Sequence, residues 1–168
     1  GPERVPKNDP RPEAYGTVDE TQAALGLVRA GGWTPVTSEL LLAVQGDLHT
    51  LMAELAAAGQ PGSPFSGSIT GDHVQVLEDG IARVKDRVAM PREFVLPGDS
   101  QPGAALHLAR TVARRAERAT VRLVHDGLLD NPWPLSYLNR LSSLLFVLAC
   151  LEDQAARKDV PSTPGDQG

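Results

Sequence analysis

Apolar residues return at intervals of three and four along almost the whole chain, and Gly/Pro punctuation cuts that pattern into five lengths. This spacing marks one face of a helix, whereas a strand would alternate every second residue. The first segment spans about Pro12 to Ala30, with Tyr15, Val18, Gln22 and Leu25 on one face and Gly31-Gly32 as its stop. The second, about Thr37 to Ala58, carries Leu41, Val44, Leu48, Leu51 and Leu55. A Gly/Pro/Ser-rich loop follows, and then a third helix from about Thr70 to Val88 with Val74, Leu77, Ile81, Val84 and Val88. Pro91 to Gly103 reads as an irregular connection. The fourth helix, about Pro102 to Gly127, has an expected stripe of Ala105, Leu108, Val112, Ala116, Ala119 and Leu123. The fifth, about Pro134 to Lys158, holds Leu138, Leu141, Leu145, Leu148 and Leu151. Helices this long, joined by short loops, bury their stripes best side by side. The expected fold is therefore all-α, a five-helix antiparallel bundle in one domain over residues 1–160, with 161–168 a disordered tail.

Composition agrees: 22 Leu and 20 Ala stand against 2 Ile, which favours helices over sheets. Charge then removes several classes of function. With 16 Lys+Arg against 21 Asp+Glu, the net charge of −5 argues against a chain held broadly on nucleic acid or on a membrane surface. The single cysteine, Cys150, excludes an internal disulfide framework and any Cys-based zinc site. No run approaches about 18 uninterrupted apolar residues, and Gly1-Pro2-Glu3-Arg4-Val5-Pro6 has no apolar signal core. The expectation is a soluble, cytoplasmic protein.

The charges are unevenly placed. Arg110, Arg114, Arg115, Arg118 and Arg122, with Glu117 the only acid among them, give that stretch +4, so the remainder of the chain carries −9. Residues three and four apart are helix neighbours, which sets Arg110, Arg114, Glu117 and Arg118 on one face with His107. Arginine over arginine repels unless an acidic helix or a bound anion lies opposite. The guanidinium fork suits either a carboxylate or a polyphosphate. A second polar set, Asn139, Arg140, Ser142 and Ser143, interrupts the Leu-rich fifth helix as interhelical glue or as ligand contacts. Either Asp19 and Glu20, early in the first helix, favour its N-terminal dipole, or Asp19 faces the arginines, from its own or a neighbouring subunit. Gly62-x-x-x-x-Gly67-Ser68 lacks the lysine and preceding strand of a P-loop. The scattered His49, His73, His107 and His125 make no local metal motif, so no metal ligand is assigned.

Ala105-Leu106-His107-Leu108-Ala109-Arg110-Thr111-Val112-Ala113-Arg114-Arg115-Ala116-Glu117-Arg118 and Tyr137-Leu138-Asn139-Arg140-Leu141-Ser142-Ser143-Leu144-Leu145-Phe146 closely resemble two signatures of PduO-type ATP:cob(I)alamin adenosyltransferases. The resemblance extends in family order through Arg4 to Arg11, Glu13 to Glu20, and Phe94-Val95-Leu96-Pro97-Gly98, covering roughly residues 3–155. It implies a homotrimer that binds ATP, Mg²⁺ and cobalamin at its subunit boundaries. There a Co(I) corrinoid attacks the 5′ carbon of Mg-ATP and expels triphosphate, and a cobalamin-dependent mutase is an implied recipient of the product. By resemblance Lys7, Arg114, Glu117, Arg118 and Asn139 match ATP-site positions. Arg110 and Asp19 match a pair used across a subunit boundary, and Phe94 matches the aromatic residue that helps displace the corrinoid's lower ligand.

The chain departs from the pattern in places. It starts just after the segment Thr-Arg-x-Gly-Asp-x-Gly-x-Thr that wraps the triphosphate in the family, so a divergent member lacking that segment is expected. Ser143 stands for the family's Asp, Cys150 for a frequent Arg, Thr21-Gln22 for Leu-Asn, and Asp99 for a second Gly. The expected activity is corrinoid adenosyl transfer. Two readings compete with it: a non-catalytic corrinoid or nucleotide binder, and an enzyme that uses the interfacial pocket for another small molecule.

Overall fold

The computed structural model describes residues 9–31 and 33–158; Lys7 and the expected tail at 161–168 lie outside them. Five helices are present: α1 Pro10–Ala30, α2 Pro35–Ala56, α3 Gly71–Lys85, α4 Gln101–His125 and α5 Trp133–Lys158. No strand occurs among the described residues. Each boundary has a local cause. At the start of α1 the Asp9 carboxylate accepts from the Arg11 N–H at 2.9 Å, and Pro10 fills a position that needs no donor. Ser100 caps α4 in the same way, its Oγ accepting from Gly103 N–H at 2.9 Å. Gly127, at φ 69°, takes the left-handed turn that ends α4, and Leu128 N–H then closes on Leu123 C=O at 2.9 Å.

The helices alternate up and down. α1 packs on α2 and on α4, α4 on α5, and α5 on α3. Glu13 meets Arg122 at 3.8 Å and Glu20 meets Arg115, so α1 and α4 run antiparallel. Thr37 and Glu152 at one end, with Asp47 and Tyr137 further along, set α2 antiparallel to α5. The alternation makes α3 and α5 parallel, a departure from the expected all-antiparallel packing. Gly71 lies against Trp133, Glu78 against Arg140, and Ala89 against Gln154, in increasing order on both helices.

Burial follows the expected stripes on α2, α3 and α5. Gly80 sits inside α3 because space is short: a Cβ there would lie 3.2 Å from Leu40 Cδ2 and 3.6 Å from Leu144 Cδ1. On α4 four of the six expected positions are off by one residue, while Ala116 and Leu123 are buried as expected. The buried face is Leu106, His107, Ala109, Ala113, Ala116, Thr120 and Leu123, whereas Leu108 is 56% exposed. Wedged between α1 and α5, α4 turns inward the small residues that permit close approach. Leu108, Val121 and Val124 are left on the outside. α5 is long and apolar enough to cross a membrane by length and composition, yet most of its apolar window is buried in the bundle.

Candidate functional site

The arginine face of α4 divides into two groups by what α1 places beside it. Arg115 and Arg122 are matched by Glu20 and Glu13 of α1. Arg110, Arg114 and Arg118 make no ion pair among the described residues. Three cations on successive turns of one helix face therefore remain available to an anion.

Two of them open onto a groove. A cavity of about 300 Å³ is walled by Arg110 and Arg114 of α4, by Arg140, Ser142, Ser143, Phe146 and Val147 of α5, by Ile81 and Lys85 of α3, and by Met90. Its chemistry is mixed: four basic side chains on one part, and the apolar Phe146, Met90, Ile81 and Val147 on another. A large ligand with an apolar face and an anionic or amide-bearing rim fits that division. Beside it a shallower groove of about 470 Å³ is lined by Val74, Glu78, Glu117, Trp133, Leu135, Ser136, Asn139 and Arg140. Across it Asn139 Nδ2 donates to Glu117 Oε1 at 3.1 Å, which orients an amide and a carboxylate toward the same opening.

His107 lies beneath these grooves, 3% exposed, with neither ring nitrogen hydrogen-bonded among the described residues. Its ring meets Phe146 edge to face, with centroids 6.0 Å apart. Burial, reinforced by the Arg110 charge, pushes the imidazole below its ordinary pKa and favours the neutral form. The ring backs Phe146, part of the apolar wall of the groove that holds Arg110 and Arg114.

The residues expected to act together are only partly assembled within one chain. Arg110 and Arg114 share the groove walled by Phe146, and Glu117 and Asn139 share the adjacent one. Asp19 is exposed on α1 and makes no ion pair with Arg110 within the chain; Glu13 and Glu20 are the α1 residues that reach the arginines. Phe94 stands apart on the α3–α4 connection, 89% exposed, in a separate groove of about 480 Å³ with Leu96, Arg92 and Arg157. Lys7 is outside the described residues.

The polar interruption of α5 also resolves. Ser142 Oγ donates to the carbonyl of Asn139 at 2.8 Å, inside its own helix, and Ser142 and Ser143 both line the groove that holds Arg110 and Arg114. Arg140 pairs with Glu78 of α3. Sequence reasoning passed over Glu78, Lys85 and Met90. Glu78 and Lys85, two helical turns apart, share a face of α3 with Ile81, a signal that was present but weak among ordinary surface charges.

The sequence and the fold both have known counterparts. The family described as Cobalamin adenosyltransferase matches residues 1–152. The Corrinoid adenosyltransferase PduO of Citrobacter freundii is 40% identical over 157 residues, covering 94% of this chain and 47% of that protein. Against such relatives, including the Salmonella typhimurium protein, the chain spans about half of their length. A Cobalamin adenosyltransferase of Cupriavidus metallidurans is 42% identical, with 90% of this chain and 79% of that protein covered. Among solved structures, a variant of the PduO-type ATP:corrinoid adenosyltransferase from Lactobacillus reuteri, complexed with cobalamin and ATP, superposes with a TM-score of 0.82 at 32% identity over 91% of this chain and 85% of that one. Fold, arginine face and sequence converge, and the chain belongs to the cobalamin adenosyltransferase family.

Proposed function

We propose that this chain carries ATP:corrinoid adenosyltransferase activity. The observation that carries the reading is the pair of adjoining grooves: one has an apolar wall and unpaired Arg110 and Arg114, the other the Glu117–Asn139 pair. In the reaction, the electron pair of a Co(I) corrinoid forms the Co–C bond to the 5′ carbon of ATP. The C5′–O bond breaks and its electrons leave on triphosphate. The protein's task is to hold the two substrates in line and to meet the charge that develops on the leaving oxygen. Arg114 and Arg118 meet the phosphates, while Glu117 and Asn139 fix the nucleoside end. Lys7 adds a further cation. Among the described residues no group of three or more His, Cys, Asp or Glu stands where it could hold a metal, so Mg²⁺ is assigned to the nucleotide's own phosphates.

The corrinoid is assigned to the groove walled by Phe146 and Met90, with Phe94 as the aromatic group pressed against its lower face. Phe94, 89% exposed within one chain, gains such a role when a partner or ligand covers it. The same argument supports a homotrimer. Exposed Leu108, Val121 and Val124 on α4, unpaired Arg110, and Asp19 on α1 form two surfaces that a rotated second copy would bring together. The setting assigned is the cytoplasm, where the buried Cys150 thiol stays reduced, and a cobalamin-dependent mutase is the assigned consumer of the product.

Incubation of the protein with Mg-ATP and a chemically reduced corrinoid, followed by the absorbance of the Co–C bond, tests the activity. Adenosylated corrinoid is the expected product. Binding of both ligands without product would instead assign the chain to a binding role.

A further inference from the structure

Among the described residues, Arg140 alone lines both grooves. Its guanidinium is committed on one edge: Nη2 donates to Glu78 Oε2 at 3.0 Å, and Nε stands 2.5 Å from Glu78 Oε1 as an ion-pair contact without a hydrogen bond. The remaining edge, Nη1, reaches toward Ser143 Oγ at 3.4 Å, on the side of the groove that holds Arg110 and Arg114. One hydrogen bond and one ion-pair contact, to the two oxygens of the same carboxylate, hold a guanidinium in place more firmly than a single contact does. Without Glu78, Arg140 would stand in the field of Arg110, Arg114 and Lys85 with only Glu117, held by Asn139, as a nearby carboxylate. Repulsion would then favour rotamers that swing it into solvent.

We propose that Arg140, aimed by Glu78, is a positioning residue on the boundary between the nucleotide groove and the corrinoid groove, and sets how the two substrates meet. This rests on the adenosyl-transfer reading. Each substrate keeps its own contacts: phosphates on Arg114 and Arg118, nucleoside on Glu117 and Asn139, corrinoid on Phe146 and Met90. Arg140 touches the region common to both. Its displacement therefore costs alignment more than binding.

Glu78→Gln, which removes the charge with little change of shape, and Arg140→Lys, which keeps the charge but loses the fork, make the test. Each is expected to lower kcat for adenosyl transfer by about ten- to hundred-fold, the scale of a small misplacement of reacting groups. KM for ATP and for the corrinoid should each stay within about three-fold of wild type, and the double variant should be no worse than the weaker single one. Thermal melts confirm that each variant is folded at the assay temperature. An unchanged kcat in folded variants, or a raised KM with kcat retained, overturns the proposal. If the wild-type chain forms no product, the activity reading fails on its own. The boundary role is then decided by calorimetry of Mg-ATP with and without hydroxocobalamin. Affinities that depend on cobalamin in wild type but not in Glu78→Gln uphold it, and the same behaviour in both proteins overturns it.

Discussion

Asp153 of α5 presses its carboxylate onto Gly103 of α4, leaving no room for a Cβ at that position. The same carboxylate accepts from Ser100 Oγ, which in turn accepts from the Gly103 N–H, so the N-terminus of α4 and the buried Asp153 are tied by one hydroxyl. Gly103→Ala should displace the carboxylate or separate the helices. The expected loss is about 1–3 kcal/mol, the range for overpacking a filled core, read as a lower Tm in thermal denaturation. An unchanged Tm would show that this junction yields freely.

The two classes of arginine on α4 separate in binding. Arg114→Ala should weaken Mg-ATP binding by about 1.5–3 kcal/mol, the scale of a lost hydrogen bond to a charged group. Arg115 is exposed and paired with Glu20, and Arg115→Ala should change binding by no more than about 0.5 kcal/mol. Isothermal titration of both variants decides the point. Equal losses would mean that the whole basic face acts as a diffuse field.

His107 links stability to pH. Burial, the larger cause, and the Arg110 charge set its folded pKa below the unfolded value. The unfolded chain therefore takes up this proton first as pH falls. The stability contributed by neutral His107 is fully present above the unfolded pKa of about 6.5 and is lost below it, down to the folded pKa. Between about pH 7.5 and about pH 5.5 the Tm of wild type should fall more than that of His107→Gln. Parallel pH profiles in the two proteins would remove His107 from the account.

A trimer joined through Arg110 and Asp19 makes a specific demand on charge. Light scattering should find three subunits per particle in wild type, and Asp19→Arg should shift the population toward smaller species by placing like charges together. Combining it with Arg110→Asp restores opposite charges and should recover the trimer. A stable wild-type monomer would end this assignment and leave Leu108 and Val121 without a partner surface.

Much of the fold was legible because helical spacing is a local property. The stripes on α2, α3 and α5 needed only the recurrence of Leu and Val. The arginine face was equally plain, since residues three and four apart on one helix are neighbours in any packing. The stripe on α4 was misjudged because Leu108 looks more apolar than Ala109 or Ala113, while packing between two helices selected the small residues. Glu78 gave only a weak signal for a related reason: it matters through α5, across a distance in sequence that no local pattern spans.

The sequence by itself determined that the chain is helical, where α2, α3 and α5 turn their apolar faces, and that a cluster of five arginines is gathered on one helix. Only the tertiary structure decided which charges stay unpaired. The carboxylates of α1 neutralise Arg115 and Arg122 and pass over Arg110 and Arg114, and α3 brings Glu78 to Arg140 because it runs parallel to α5. Charge compensation depends on a few ångströms between side chains of different helices. That distance is set by how the helices pack against one another.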